Sequence, residues 1–181
     1  MKKVVWANKS NGQLCITIPG GSGIKEGDVV TVEKEKIRSI VYTPVTADLF
    51  HYGHLRLLQA ANGLGDFHIC GVVTDEAIRS YKEGPIAGLR ERKAILSDLR
   101  CVDMVMVQDN LDPTENLKSI HAQFPYAALV LVYGSNWKKV PGHSFVKKVG
   151  GKVVQPPFYE KLSTENVIKK IFKLYKNEAI A

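Results

Sequence analysis

The pattern of apolar and polar positions changes near residue 39 and divides the chain into two parts. Before it, short β-branched runs such as LCITI and VVTVE are separated by Asn-Gly and Pro-Gly turns, which predicts a small all-β unit over residues 1–38. After it, apolar runs of strand length alternate with stretches whose apolar residues repeat every three to four positions, as in amphipathic helices. The pattern therefore predicts a second, α/β domain over residues 39–181.

The predicted elements of the second domain alternate strictly between strand and helix. We predict strands at 39–45, 67–74, 102–108, 127–134 and 152–157, and helices at 52–65, 90–100, 115–124, 142–151 and 163–177. Such alternation is typical of a Rossmann-like parallel sheet with helices on both faces. Ligands of these sheets bind beyond the carboxyl ends of the strands. The site is therefore expected in the loops after Val45, Thr74, Val107, Tyr133 and Gln155.

Composition narrows the class of protein and of partner. No apolar run approaches the roughly 20 residues of a membrane span, and the first residues lack a signal peptide, so we expect a cytoplasmic protein that does not enter a membrane. Cys15, Cys70 and Cys101 are widely spaced among apolar residues and are expected to be free thiols. The net charge of +7 favours an anionic partner, without choosing among nucleic acids, lipids and phosphorylated metabolites.

The sequence His51-Tyr52-Gly53-His54 occupies the first of these loops, where a strand passes into a helix. Unpaired N–H groups and the positive end of the helix dipole favour a phosphate there, and two imidazoles add donors. Gly53 is expected to let the ligand approach the backbone. The alternative is that one histidine caps the helix and the other packs. The remaining histidines and the cysteines lie too far along the chain to complete a zinc site.

The larger domain resembles the cytidylyltransferase family of nucleotidyltransferases, whose signature is His-x-Gly-His. The resemblance spans residues 39–176 and rests on ADLFHYGHLRLLQAANGLGD, VVTDEAIRSYKEGPI, RERKAILSDLRCVDMVM, YGSNW and FYEKLST. It is greatest to small members that act on glycerol phosphate, phosphoethanolamine, phosphoserine or phosphonates such as aminoethylphosphonate. It implies transfer of a nucleotidyl group from CTP, with Mg²⁺, to a small anionic acceptor and release of pyrophosphate.

The resemblance also implies roles for individual residues. His51, His54 and Lys82 are the expected catalytic residues, with Lys82 reaching over the phosphates from a closing loop. Asp48 is expected to hold Mg²⁺, either directly or through water. The nucleotide is expected to contact Thr46, Asp48, Gly53, Arg92, Gly134, Ser163 and Thr164, and the acceptor is expected to contact Asn136, Trp137, Tyr159 and Lys161.

Four of these residues also have simpler interpretations. Lys82 is alternatively an ordinary solvated lysine, and Asp48 a cap of the following helix. Arg92 lies in the charged run RERK, which also fits a solvated helix face. Ser163 is expected to cap the last helix, an interpretation that is compatible with nucleotide binding.

Three departures from the family pattern indicate altered substrate recognition. Pro44 stands where a glycine is usual and removes one backbone donor. Gly-Asp-Asp-Trp is here Gly134-Ser135-Asn136-Trp137, so that Asn136 is able to donate to an anion. Phe158 replaces an arginine of many members, and Lys161 is the candidate that restores the charge.

Residues 2–36 resemble the AbrB-like swapped-hairpin domains, on the segment NGQLCITIPGGSGIKEGDVVTVE. Such domains dimerise by interleaving hairpins and often bind DNA. Residues 1–38 carry seven Lys and Arg against four Asp and Glu, and a net +3 spread along strands is weak for reading a DNA groove. We expect this unit to form a homodimer rather than to bind DNA.

Three classes of function remain open from the sequence. A CTP-dependent cytidylyltransferase is the first. An ATP-dependent adenylyltransferase of the same fold is the second, because backbone groups at strand ends read the base and the sequence does not show them. A DNA-binding regulator with a nucleotide-sensing domain is the third.

Overall fold

The computed structural model describes residues 6–7, 14–15, 21–29 and 37–175. The chain divides into two compact units, residues 1–36 and 37–181. In the smaller unit, β1 (Trp6–Ala7) pairs antiparallel with β2 (Leu14–Cys15), in the register Trp6 to Cys15. Most of the third predicted β run lies outside the described residues. The AbrB-like identity of this unit therefore stays a prediction.

The larger unit contains five strands and six helices within its described residues. In chain order they are β3 (Ser39–Val45), α1 (Tyr52–Asn62), β4 (Phe67–Val73), α2 (Asp75–Arg79), α3 (Leu89–Ser97), β5 (Met104–Gln108), α4 (Thr114–Gln123), β6 (Ala128–Val132), α5 (His143–Lys148), β7 (Lys152–Val154) and α6 (Thr164–Tyr175). The strands are all parallel and lie in the order β5-β4-β3-β6-β7. The predicted Rossmann-like α/β fold is confirmed. None of the helices in the described part of the chain is long and apolar enough to cross a bilayer.

Alternate residues of the central strands supply two separate cores. Ile40 and Tyr42 of β3 point to the face covered by α4 and α5, where Leu117 and Val146 are fully buried. Val41 and Val45 point to the opposite face, which α1 and α3 cover. Because successive side chains of a strand leave opposite faces of the sheet, β3 is buried on both sides.

The two strands that neighbour β3 pair with it over different lengths. The pairing of β3 with β4 runs from Ile40 to Val45, whereas its pairing with β6 ends at Tyr42. The strand order also reverses here, since β4 and β6 follow β3 on opposite sides. Pro44, which has no N–H to contribute to a ladder, lies beyond the end of the β6 pairing. A cleft opens at this point.

Two helical predictions need correction. Helix α1 ends at Asn62 and Gly63 is its C-cap, not Gly65. A Cβ on Gly65 would lie 2.7 Å from Cγ2 of Val41, so this glycine serves the close packing of the loop on β3. The short helix α2 was not predicted, although Thr74 caps it by accepting a hydrogen bond from the Ala77 N–H.

Candidate active site

The cleft at the carboxyl end of β3 brings together residues from distant parts of the sequence. Its lining comes from the end of β3, the turn into α1, the loop after β6 and the start of α6. The lining residues are Pro44, Val45, Thr46, His51, Gly53, His54, Leu57, Tyr81, Tyr133, Gly134, Asn136, Trp137, Pro157, Phe158, Tyr159, Ser163 and Thr164. Most of the predicted site residues therefore lie in one cleft. Asp48, Lys82, Arg92 and Lys161 are predicted site residues outside this lining.

Each of the two histidines accepts a hydrogen bond from a backbone N–H group in the first turn of α1. His51 is the N-cap, and its Nδ1 accepts a hydrogen bond of 3.0 Å from the Gly53 N–H. The Nδ1 of His54 accepts one of 3.3 Å from the His51 N–H. An imidazole nitrogen that accepts a hydrogen bond carries no proton, so each neutral ring has its N–H at Nε2. The capping interpretation holds, and it leaves one N–H donor on each ring for a ligand in the cleft.

Both imidazoles are held in the neutral form. Burial is the main cause that lowers the pKa of His54 from 6.5 to about 4, and the adjacent His51 adds to it. Asp48 raises and Lys82 lowers the pKa of His54 to a lesser degree. Burial also lowers the pKa of His51. At pH 7 each ring therefore offers a ligand an N–H donor but no positive charge.

The turn that carries the histidines has an unusual backbone. Ala47 and Leu49, on either side of Asp48, have φ values of 56° and 45°, which only a few per cent of non-glycine residues adopt. Such conformations cost about 1–3 kcal/mol each and persist where surrounding contacts fix them. Backbone strain is therefore concentrated directly before the two histidines.

Gly53 lines the cleft and is also required by the packing around it. A Cβ at this position would lie 2.9 Å from Cε1 of His51 and 3.1 Å from the carbonyl oxygen of Leu162. The His51 ring and the backbone before α6 therefore need this space, and the approach of a ligand to Gly53 stays a prediction. A side chain here would displace the catalytic candidate itself.

Asp48 neither caps α1 nor fits a direct metal ligand. The cap is His51. The buried carboxylate accepts hydrogen bonds from the Ile86 and Ala87 N–H groups, at 3.1 and 2.9 Å, and a local one from Leu49. Within the described part of the chain, no three His, Cys, Asp or Glu side chains are clustered so as to hold a metal ion. The hydrogen-bonded carboxylate does not favour direct Mg²⁺ binding, and Mg²⁺ binding through water stays a prediction.

Arg92 is wrongly predicted both as a solvated residue and as a phosphate contact. Its side chain is fully buried, and it forms an ion pair with Asp75 at the start of α2. Its Nη1 donates to the carbonyl oxygens of Thr46 and Val73, at 2.6 and 2.8 Å. Its Nε donates to the Ala87 carbonyl oxygen at 2.9 Å. The guanidinium thus joins the ends of β3 and β4 to the loop before α3.

That loop carries the predicted catalytic lysine. Lys82 is exposed, and its Nζ lies 5.5 Å from the ring centroid of Tyr81, which lines the cleft. Lys82 does not line the cleft itself, but its charge is close enough to lower the pKa of His54. Tyr81 is a lining residue that the sequence interpretation missed. The signal available was its position beside Lys82.

An aromatic wall of the cleft is formed by Trp137, from the loop after β6, and Tyr159, from the segment before α6. The ring of Trp137 packs edge-on against Tyr133 with 5.0 Å between centroids, and Tyr159 packs in the same manner against Tyr52 at 5.2 Å. Gln155 holds the Trp137 carbonyl oxygen with a 2.8 Å hydrogen bond. Lys161 is exposed and lies outside this wall, so its predicted contact with the acceptor is not supported.

The start of α6 is tied to the histidine turn. Ser163 accepts a hydrogen bond of 3.2 Å from the Asn166 N–H, as the predicted cap of α6. The Thr164 hydroxyl donates to the carbonyl oxygen of Asp48 at 3.1 Å. Both residues line the cleft, so the end of the described chain contributes to the same site as its first α/β turn.

The chain is similar in sequence to proteins of a known family. Residues 42–170 match the family model described as cytidylyltransferase-like. The chain is 35% identical over 147 residues to the bifunctional protein HldE of Geotalea uraniireducens, covering 79% of this chain and 29% of the relative. It is 34% identical over 167 residues to the protein of that name from Geobacter sulfurreducens, covering 88% and 33%. The chain thus spans about a third of the length of the curated relatives it matches.

A solved structure shares the fold. The lipopolysaccharide core biosynthesis protein of Thermoplasma volcanium superposes with a TM-score of 0.55 at 23% identity, over 67% of this chain and 98% of that one. At this identity the likeness concerns the fold alone.

Proposed function

The chain belongs to the cytidylyltransferase-like family, and on that premise we propose that it transfers CMP from CTP to a small phosphorylated or phosphonate acceptor, with release of pyrophosphate. The observation that supports the proposal is the pair of neutral imidazoles at the start of α1, each with its Nε2–H free of the helix turn. They lie in the cleft where the strand order reverses, the usual ligand position of such sheets.

The reaction needs alignment and stabilisation of charge more than covalent help from the protein. An acceptor oxygen attacks the α-phosphorus, a new P–O bond forms, and the bond to the pyrophosphate oxygen breaks. The Nε2–H groups of His51 and His54 donate to phosphate oxygens whose charge changes in this step, and the N-terminus of α1 adds its dipole. Lys82 supplies the positive charge that the neutral histidines lack. Mg²⁺ bound to the triphosphate would neutralise part of its charge.

The two sides of the cleft divide the substrates between them. The histidine side suits the phosphates, and Ser163 and Thr164 add hydroxyl groups to it. Trp137, Tyr159 and the amide of Asn136 lie on the other side, where an aromatic face suits a base or the carbon skeleton of an acceptor. Phosphoserine, phosphoethanolamine, aminoethylphosphonate and glycerol phosphate remain the proposed acceptors. Sugar phosphates belong in the same test because their C–H faces also stack on aromatic rings.

The deciding experiment measures pyrophosphate release with each of four nucleoside triphosphates, crossed with a panel of phosphomonoesters, phosphonates and sugar phosphates. We expect CTP to be preferred and release to require an acceptor. Preference for ATP would assign the chain to adenylyl transfer instead. The matched control is the double variant His51→Ala, His54→Ala, and release that this variant retains is not produced at the cleft. Failure of every pair with the intact protein would reject the proposed function.

A further inference from the structure

Asp48 sits where the loop that carries Lys82 ends. The loop leaves α2 at Arg79 and reaches α3 at Leu89, and its only described contacts with the Asp48 carboxylate are the N–H groups of Ile86 and Ala87. Both carboxylate oxygens take part, with N···O distances from 2.9 to 3.1 Å. Hydrogen bonds to an ionised acceptor are about twice as strong as neutral ones. Asp48 thus fixes the position at which the loop returns to the protein.

Arg92 holds the same residue, Ala87, through its carbonyl group. The Ala87 N–H donates to Asp48, and the Ala87 carbonyl oxygen accepts from Nε of Arg92. Arg92 also donates to the carbonyl oxygen of Thr46, two residues before Asp48. The loop end and the histidine turn are therefore held by two charged side chains that contact both. Neither side chain lines the cleft itself.

We propose that Asp48 and Arg92 are positioning residues that set where the Lys82 loop closes over the histidines. The proposal rests on the proposed function for the role of Lys82, but the anchoring contacts stand without it. The described residues between Arg79 and Ile86 are largely exposed. The end of α2 holds this segment on one side, where the Tyr81 and Lys82 N–H groups donate to the Ile78 carbonyl oxygen, and the anchor at residues 86–87 holds it on the other. This assigns Asp48 to loop placement and not to the metal.

The backbone around Asp48 supports this assignment. A metal ligand at this position needs a free carboxylate oxygen directed into the cleft, whereas the carboxylate is buried against amides. Ala47 and Leu49, on either side of Asp48, have left-handed conformations, and the Asp48 carbonyl oxygen accepts a hydrogen bond from the Thr164 hydroxyl. One residue thereby contacts both the loop end and the start of α6, and it lies three residues before His51.

Amide hydrogen exchange tests the anchor without nucleotide, metal or turnover. In full-length protein with a chelator present, Asp48→Ala should speed exchange at the Ile86 and Ala87 amides by about tenfold or more. Asp48→Asn keeps the shape and one acceptor, and should give a smaller increase. Asp66→Ala is the matched control, because Asp66 also accepts backbone amides, those of Arg38 and Ser39, at the opposite end of β3. Exchange at residues 86–87 that is the same in all proteins would overturn the proposal.

A double-mutant cycle tests the link to the lysine. If Asp48 acts through the loop, Asp48→Asn combined with Lys82→Ala should lower kcat little further than Lys82→Ala alone, within about threefold. Losses that multiply would show that Asp48 acts elsewhere. The Mg²⁺ concentration for half-maximal rate should be the same in Asp48→Asn as in the natural protein. If Asp48 were a metal ligand, its loss would raise that concentration at least about tenfold. If the intact protein transfers no nucleotide at all, the proposed function fails and the exchange result alone decides the anchor.

Discussion

The ring centroids of His51 and His54 lie 4.0 Å apart, with 31° between the ring planes, so each imidazole forms part of the other's surroundings. A proton on one ring would place its charge against the other, which adds to the cost that burial already imposes. Both imidazoles are consequently neutral at pH 7, and each has one N–H donor, at Nε2. Their acid–base properties and their hydrogen bonds lead to separate predictions.

Replacing His51 should separate capping from catalysis. His51→Ala loses both the cap and the Nε2–H donor, so we expect turnover to fall by about 10² or more and stability by about 1 kcal/mol. His51→Asn supplies a good N-cap without the imidazole donor. Asn should therefore restore the midpoint of urea unfolding while turnover stays low. Turnover that recovers with the cap would show that His51 acts only through the helix.

The low pKa of His54 predicts a loss of stability in acid. Above pH 6.5 the ring is neutral in folded and unfolded chains, so the free energy of unfolding does not depend on it. Between 6.5 and about 4 the unfolded chain binds a proton that the folded chain does not, and stability falls by up to about 1.4 kcal/mol per pH unit. Urea unfolding at pH 7, 6 and 5 should show a steeper decline for the natural protein than for His54→Gln. Parallel declines would contradict the shifted pKa.

Lys82 should matter to turnover and the loop should respond to ligand. Lys82→Ala is expected to lower kcat by about 10² if the lysine balances charge in the transition state, and Lys82→Arg by less. CTP with Mg²⁺ should protect residues 79–88 from proteolysis. Lys118→Ala is a suitable control, because Lys118 is an exposed lysine of α4 paired with Glu115 and lies outside the cleft lining. Equal cleavage with and without nucleotide would make Lys82 a lysine on a passive loop.

Replacing Gly71 by alanine should cause a strong packing defect in the sheet. A Cβ on Gly71 would lie 2.1 Å from the hydroxyl oxygen of Tyr42, which is buried and hydrogen-bonded to Gln108. Gly71→Ala should lower the free energy of unfolding by about 2–3 kcal/mol, because the ring has no free space to enter. Gly63→Ala is the control, since its Cβ would meet nothing closer than 3.7 Å. The two variants should differ clearly in thermal unfolding.

The smaller unit, residues 1–36, leads to a prediction about the oligomeric state. A few short strands form a marginal structure alone, so we expect residues 1–36 to pair with a second copy and to give a homodimer. Deletion of residues 1–36 should yield a monomer with measurable nucleotidyl transfer. A dimer that survives the deletion would place the interface elsewhere.

The same unit also separates enzyme from regulator. The weak and spread charge of this unit predicts salt-sensitive attraction to DNA without sequence preference. Binding of one duplex at least about 10³-fold more tightly than random DNA at physiological salt would favour the regulator. The matched comparison is the protein that lacks residues 1–36, which should lose such binding.

The sequence was sufficient where local pattern and tertiary environment agree. Strand β3 has its predicted bounds, because a central strand buried on both faces is a largely apolar run, and this run ends at the turn that begins with Thr46. Helix α2, at five residues, is shorter than any hydrophobic period can reveal. The cleft could be located because parallel strands place their following loops together at one edge.

Residue roles were less predictable than positions. Arg92 stands in a run of charges, and only the tertiary structure reveals that its helix turns this one arginine inward onto four polar partners. Asp48 resembled a metal ligand because a carboxylate before a phosphate-binding turn is common chemistry. Its actual partners are amides 38 and 39 residues away, which no local pattern encodes.

The early end of the β3–β6 pairing at Tyr42 has a consequence for how the protein is able to change. The cleft that opens there has one wall from the β3–α1 turn and another from the loop after β6 and the segment before α6. In the proposed reaction the first wall holds the phosphates, whereas no described hydrogen bond of the histidine turn involves the second wall. New acceptors can therefore be acquired by exchange of residues 134–137 and 157–159, while the chemistry is inherited intact.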